Sequence, residues 1–160
     1  MTTTVQQAEP LSPELQQAKQ MAEAQIDAYL KNVGIADPSQ LIDEDGWRHF
    51  QMGSAPGFAY IDESDGELYL NTAAVVMHLP SDKDLILPLM RDVLELNMLI
   101  WGSAKLSISQ ETILVAAIER VDDLQQDGVA RCIHRVMSLA DDLDDDLIEK
   151  YGGTSIQRGS

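Results

Sequence analysis

Between Gly66 and Asn97 the chain reads GELYLNTAAVVMHLPSDKDLILPLMRDVLELN, and its hydrophobic period changes partway along. Up to Leu79 the residues alternate as in a strand. Leu68, Leu70, Ala74 and Val76 fall on one side, and Tyr69, Ala73, Val75, Met77 and Leu79 on the other. Leu79-Pro80-Ser81 breaks that strand. Beyond it Leu85, Leu89, Val93 and Leu96 recur at helical spacing, with Ile86, Met90 and Leu94 beside them. Ser81 or Asp84 is the expected cap, and Pro88 lies early enough in the helix to be tolerated. Both halves are unusually apolar. A strand with one face in water shows one polar side, which this one lacks. A helix apolar over so much of its circumference is buried on more than one side. Helices packed on one face of a sheet would leave the other side of this strand wet, so a second copy of the chain or a partner chain is expected to cover it.

The neighbouring segments supply the rest of a layered fold. Ser12, Pro13 and Glu14 have the order of a helix start. Leu15, Ala18, Ala22, Ile26, Tyr29, Leu30 and Val33 then follow at helical spacing until Gly34. Trp47 to Met52 and Phe58 to Ile61 read as strands, with Gly53 to Gly57 as the turn between them. Asp65-Gly66 marks a tight hairpin into the strand already described. Lys105 to Ile108 and Glu111 to Arg120 form a second strand pair. In the latter, Ile113, Val115 and Ala117 alternate with Leu114, Ala116 and Ile118. A last helix begins between Asp123 and Gly128 and runs to about Lys150 on a stripe from Val129 through Cys132, Val136 and Ala140 to Leu147. The order α-β-β-β-α-β-β-α with short turns predicts an α+β sandwich, a five-stranded antiparallel sheet packed against helices. Residues 11–151 are read as one domain, 1–10 as a disordered polar tail and 152–160 as a flexible one.

Charge and motif spacing narrow the function classes. With 27 acids against 11 bases the net charge is −16, which repels phosphate and argues against nucleic acid and anionic membranes as partners. Such a surface suits solubility and a basic or amphipathic partner. No apolar run approaches a membrane span, and the first ten residues lack a signal-peptide pattern, so a cytoplasmic location is expected. The single cysteine, Cys132, reads as a buried thiol. His49, His78 and His134 lie on separate elements, so no metal site is expected. Asp62 to Gly66 fails the register of a calcium loop, and Gly53 to Gly57 lacks the lysine of a phosphate loop. Gly102-Ser103-Ala104 is no nucleophile elbow. Neither a cofactor nor an enzymatic activity is expected. Asp141, Asp142, Asp144, Asp145 and Asp146 crowd the C-terminal part of the last helix, where the helix dipole disfavours negative charge. They are a candidate patch for a basic partner.

Val93-Leu94-Glu95-Leu96-Asn97, Ala104 to Ile108, the strand from Glu111 to Val121, and Leu139-Ala140-Asp141-Asp142-Leu143 together resemble the YbjN-like bacterial proteins. The same element order is that of the type III secretion chaperones. The resemblance spans about Leu11 to Tyr151. It implies a small acidic, non-enzymatic protein, typically a homodimer, that holds an extended or amphipathic segment of a client protein. The expectation is therefore a chaperone-like binding or assembly factor; the alternative is a regulatory module for a small molecule or signalling protein. Candidate residues for the partner or dimer interface are Val75, Met77, Met98 and Trp101, with Ile113 and Val115 on the adjoining strand.

Overall fold

A computed structural model describes residues 11–125 and 127–154. The tail expected at 1–10 lies outside the described residues, as do residues 155–160. Among those described, the elements are α1 (Pro13–Asn32), β1 (Arg48–Met52), β2 (Ala55–Ser64), β3 (Glu67–His78), α2 (Ile86–Leu99), β4 (Lys105–Ser109), β5 (Thr112–Arg120) and α3 (Gly128–Tyr151). The strands form one sheet in the order β1-β2-β3-β5-β4, with antiparallel neighbours throughout. The expected α+β architecture is the observed one.

Local chemistry accounts for most boundaries. The Ser12 hydroxyl accepts the Leu15 N–H at 3.2 Å and opens α1. Asp65 and Gly66 take positive φ of 54° and 76°, the backbone a tight hairpin requires. Neither Ser81 nor Asp84 caps the central helix. The Asp82 carboxylate accepts the Asp84 N–H at 2.9 Å and starts a 3-10 turn, Lys83–Leu85, that runs into α2. β2 begins earlier than its sequence suggests, because Gly57 belongs to the strand. A Cβ there would stand 2.5 Å from the Met137 sulfur and 2.8 Å from the Ala73 carbonyl oxygen, so glycine admits α3 close to the sheet.

α3 packs against β2, β3 and β5 across the middle of the sheet; α1 flanks it over β2, and α2 lies on the other flank beside β4. Ile26, Leu30, Leu70, Leu89, Ile113, Ile133 and Met137 fill the space between the layers. The opposite sheet face carries side chains that cover one another. Trp47 lies parallel to Tyr60 with ring centroids 4.3 Å apart and also stacks on Phe58 at 5.0 Å.

The doubly apolar β3 has a different explanation from the expected partner chain. Its pairing with β5 shifts between Val75 and Met77: Val75 faces Leu114, and Met77 faces Ile113. This bulge adds one residue and reverses the alternation. Leu68, Leu70 and Ala74 point to the helices before it, and Met77 joins them after it. Val76 is buried at the bulge itself. Gly153, just past α3, passes so near Met77 that a Cβ would stand 2.1 Å from the methionine methyl. α2 departs from expectation in the other direction. Only Leu89 and Val93 are buried, while Leu87, Leu94 and Met98 are 78%, 68% and 85% exposed. It is the outermost helix of its layer, so its far side meets no other element among the described residues.

Candidate functional site: the groove between α2 and α3

The C-terminal end of α2 is held to the sheet by two side chains, Asn97 and Lys105. The Asn97 carboxamide oxygen accepts the Leu106 N–H at 2.8 Å, and its nitrogen donates to the Leu106 carbonyl at 3.0 Å. A carboxamide carries the same donor and acceptor as a peptide group, so Asn97 occupies the place of a sixth strand on the edge of β4. Lys105 Nζ donates to the Ile100 carbonyl at 2.6 Å and to that of Asn97 at 3.4 Å, covering carbonyls that the end of α2 leaves open. The chain then turns at Gly102, φ 88°, and leaves Trp101 83% exposed at the lip. The opposite edge is also partly covered. Ile42 bridges Arg48, and the Asp43 N–H donates to the Trp47 carbonyl at 2.9 Å.

Between α2 and α3 runs an open groove. One section of about 530 Å³ is walled by Leu99, Ile100, Trp101 and Leu139. A second, of about 370 Å³, is walled by Leu96, Leu99, Leu143 and Leu147. Leu99 lines both sections and is 73% exposed, so they adjoin. Arg131 lines one end and Lys150 the other. Nineteen helical steps separate them on α3, roughly 28 Å at 1.5 Å per residue. Asp142, Asp146, Asp92 and Glu95 border the leucines. The Lys150 end is tied shut: Asp92 Oδ2 accepts a 2.5 Å hydrogen bond from the Tyr151 hydroxyl and pairs with Lys150. These two hydrogen bonds, Lys150's being the larger effect, hold the Asp92 carboxyl below its ordinary range.

The candidate residues divide. Met98 and Trp101 are exposed at the end of α2, where a partner can reach them. Val75 is half-buried on the outer face of the sheet and does not line the groove. Met77, Ile113 and Val115 have no exposed surface; they are core, and the bulge in β3 is the reason for Met77. The aspartate patch divides as well. Asp141, Asp142, Asp145 and Asp146 are exposed, but Asp144 is 3% exposed. The Ser54 hydroxyl bonds to Asp144 Oδ2 and to Asp141 Oδ1 (2.9 Å), and the Ser54 N–H donates to Asp141 at 2.8 Å. Two of the five acids therefore clamp the β1–β2 turn onto α3. Leu99, Leu139 and Leu143 of the groove are not among the interface residues expected from the sequence, where Leu139 and Leu143 enter only through the resemblance and the apolar stripe of the last helix. The available signal was that α3 carries leucines beside its buried stripe as well as on it.

The histidines do not converge. His49 Nε2 lies 2.7 Å from Asp43, His78 meets Thr112, and His134 Nδ1 lies 3.5 Å from the Tyr29 hydroxyl. Burial pushes Tyr29 up to about 12 and the Cys132 thiol up to about 11, so neither ionises near neutral pH. Among the described residues no group of three or more His, Cys, Asp or Glu side chains is placed to hold a metal ion. Nor is any helix among them long and apolar enough to cross a membrane.

Residues 20–159 match the model of the family TY-Chap1, described as T3SS (YopN, CesT) and YbjN peptide-binding chaperone 1. Among curated proteins none matches. A similar solved structure is that of the Yersinia pestis type III secretion chaperone SycH in complex with a stable fragment of YscM2. The likeness covers 76% of this chain and 98% of the matched chain, with a TM-score of 0.50 at 11% identity. At that identity it carries the fold, and the sheet with its helical layer is what the two share.

Proposed function

Because the chain belongs to the type III secretion and YbjN family of peptide-binding chaperones, we propose that its α2–α3 groove holds a segment of a client protein and that two copies join through the exposed stripe of α2. The observation that carries the first part is the open, leucine-walled groove itself. Its length of roughly 28 Å suits about eight residues of extended chain, at ~3.4 Å each. Asn97 occupies the β4 edge and Ile42 and Asp43 the β1 side, which favours side-chain pockets over strand addition as the mode of binding. The acids bordering the leucines suit an amphipathic client with basic residues, and SycH was likewise solved with a fragment of another protein bound. Covering an apolar client segment keeps it from aggregating. In this reading the protein acts without catalysis, in the cytoplasm.

Leu87, Leu94 and Met98 lie on one side of α2, seven and four residues apart, as a helix packing on its own copy requires. Both parts are tested together. Sedimentation equilibrium is expected to give twice the 17.7 kDa chain mass for the wild type and the single mass for Leu94→Glu. A wild-type monomer would overturn the dimer. For the groove, a random dodecapeptide library displayed on phage is panned on wild type and on Leu99→Asp. Peptides retained by the first and lost by the second are expected; equal retention would overturn the groove as client site.

A further inference from the structure

In a chain where acids outnumber bases 27 to 11, a surface arginine without an acidic partner is the exception. Arg48, Arg91 and Arg120 all make ion pairs. Among the described residues Arg131 and Arg135 are the two arginines that make none. They stand four residues apart on α3, hence on one face of the helix. Both line the Trp101 section of the groove, and both also line a neighbouring cavity of about 600 Å³ that opens beside Gly102 and the start of α3. The guanidiniums thus sit on the ridge between two openings, at the end of the groove opposite Lys150. The Trp101-Gly102 turn fixes one of them. A Cβ on Gly102 would stand 2.7 Å from Arg135 Nη1 and 3.1 Å from Cζ, so Arg135 lies against the glycine backbone. Glu119, Asp123 and Asp142 share these cavities without coming within ion-pair distance of either arginine. The exposed indole of Trp101 forms the apolar wall beside the two cations.

We propose that Arg131 and Arg135 receive an aspartate or glutamate of the client segment, next to an apolar residue that packs on Trp101, and so set the direction in which the client lies in the groove. The inference rests on the groove being the client site and adds its polarity. The middle of the groove is acidic and selects basic or neutral residues. Its Arg131 end is the place where an acidic side chain gains charge-assisted hydrogen bonds from guanidinium donors. A client threaded the other way would bring that acid to the end where Lys150 is already paired with Asp92 and where Asp146 and Glu95 repel it, so only one direction satisfies both ends.

The test uses the full chain and the same dodecapeptide library, panned on wild type and on Arg131→Gln/Arg135→Gln. Both arginines are exposed, so the double variant is expected to keep the wild-type urea midpoint. Wild type is expected to select peptides with Asp or Glu at one end of an apolar stretch, and the double variant to lose that preference. The selected consensus is then synthesised with its acid and with the matching amide. Fluorescence anisotropy should show the amide binding wild type about tenfold more weakly, and the double variant within about twofold. The tenfold preference should shrink in high salt. Wild-type peptides without an acid, or an amide penalty equal in both proteins, would overturn the arginine assignment and leave the groove standing. Selection of no peptide that depends on Leu99 would overturn the groove, and the arginine assignment with it.

Discussion

Replacing Asn97 by alanine removes the two hydrogen bonds that stand in for a strand on the edge of β4. Each is a neutral bond worth about 1 kcal/mol net. Alanine recovers up to ~0.6 kcal/mol through its better helix propensity near the end of α2. The expected loss is therefore about 1.4 kcal/mol, a fall in Tm of roughly 3–6 °C for a chain of this size. Asn97→Asp separates the bonds from a mere change in packing. It keeps an acceptor for the Leu106 N–H but sets a carboxylate oxygen against the Leu106 carbonyl, now 3.0 Å from the amide nitrogen. At pH 7 it should be less stable than Asn97→Ala. As the pH falls towards about 4, protonation restores a donor, and the deficit of Asn97→Asp relative to wild type should shrink. Urea unfolding followed by circular dichroism, at pH 7 and pH 4.5, measures all three proteins. The Ala variant should also scatter more light on storage, because an unblocked β4 edge can pair with another chain. Less than about 0.5 kcal/mol separating wild type from Asn97→Ala, with the Asp variant no worse, would refute the account of Asn97 as an edge plug.

Three further outcomes follow from the same contacts. Ser54→Ala leaves the buried Asp144 carboxylate without its hydroxyl donor and should cost about 1–3 kcal/mol in urea unfolding; a change under half a unit would mean that the turn is held otherwise. Cys132, with its thiol pushed up to about 11, should react with iodoacetamide at pH 8 roughly two hundred times more slowly than free cysteine, and labelling within seconds would contradict its burial. The folded-state pKa of Asp92 is lowered by Lys150 and Tyr151, so its contribution is present above the unfolded carboxyl pKa of ~3.9 and is lost as the pH falls through the folded value. Asp92→Asn should thus lower stability at pH 7 and flatten the acid limb of the stability curve, and an unchanged acid limb would sink that assignment.

Much of this molecule is written in local patterns. The switch from period two to helical spacing at Leu79-Pro80-Ser81 places the β3–α2 junction, and Asp65-Gly66 marks the hairpin before it. Ser12 and Pro13 start α1 where the sequence places them. These features concern residues a few positions apart, so backbone geometry and hydrophobic period suffice to read them. Alternation alone could not assign the faces of β3, because one extra residue at the bulge turns Met77 from the outer side to the core. The apolar breadth of α2 does not say whether a neighbouring element or solvent meets its second side. That depends on α2 being the outermost helix beside β4. Composition shows five aspartates together, and only the docking of Ser54, some ninety positions earlier in the chain, ties down the exposed Asp141 and covers Asp144. Arg131 and Arg135 are unremarkable in the sequence. They become a pair at one end of a groove because folding brings the Trp101-Gly102 turn against their helix. Sequence period determines which elements form, since it acts through bonds and nearest turns. The site arises from contacts between residues far apart in the chain, and only the packing of the layers decides those.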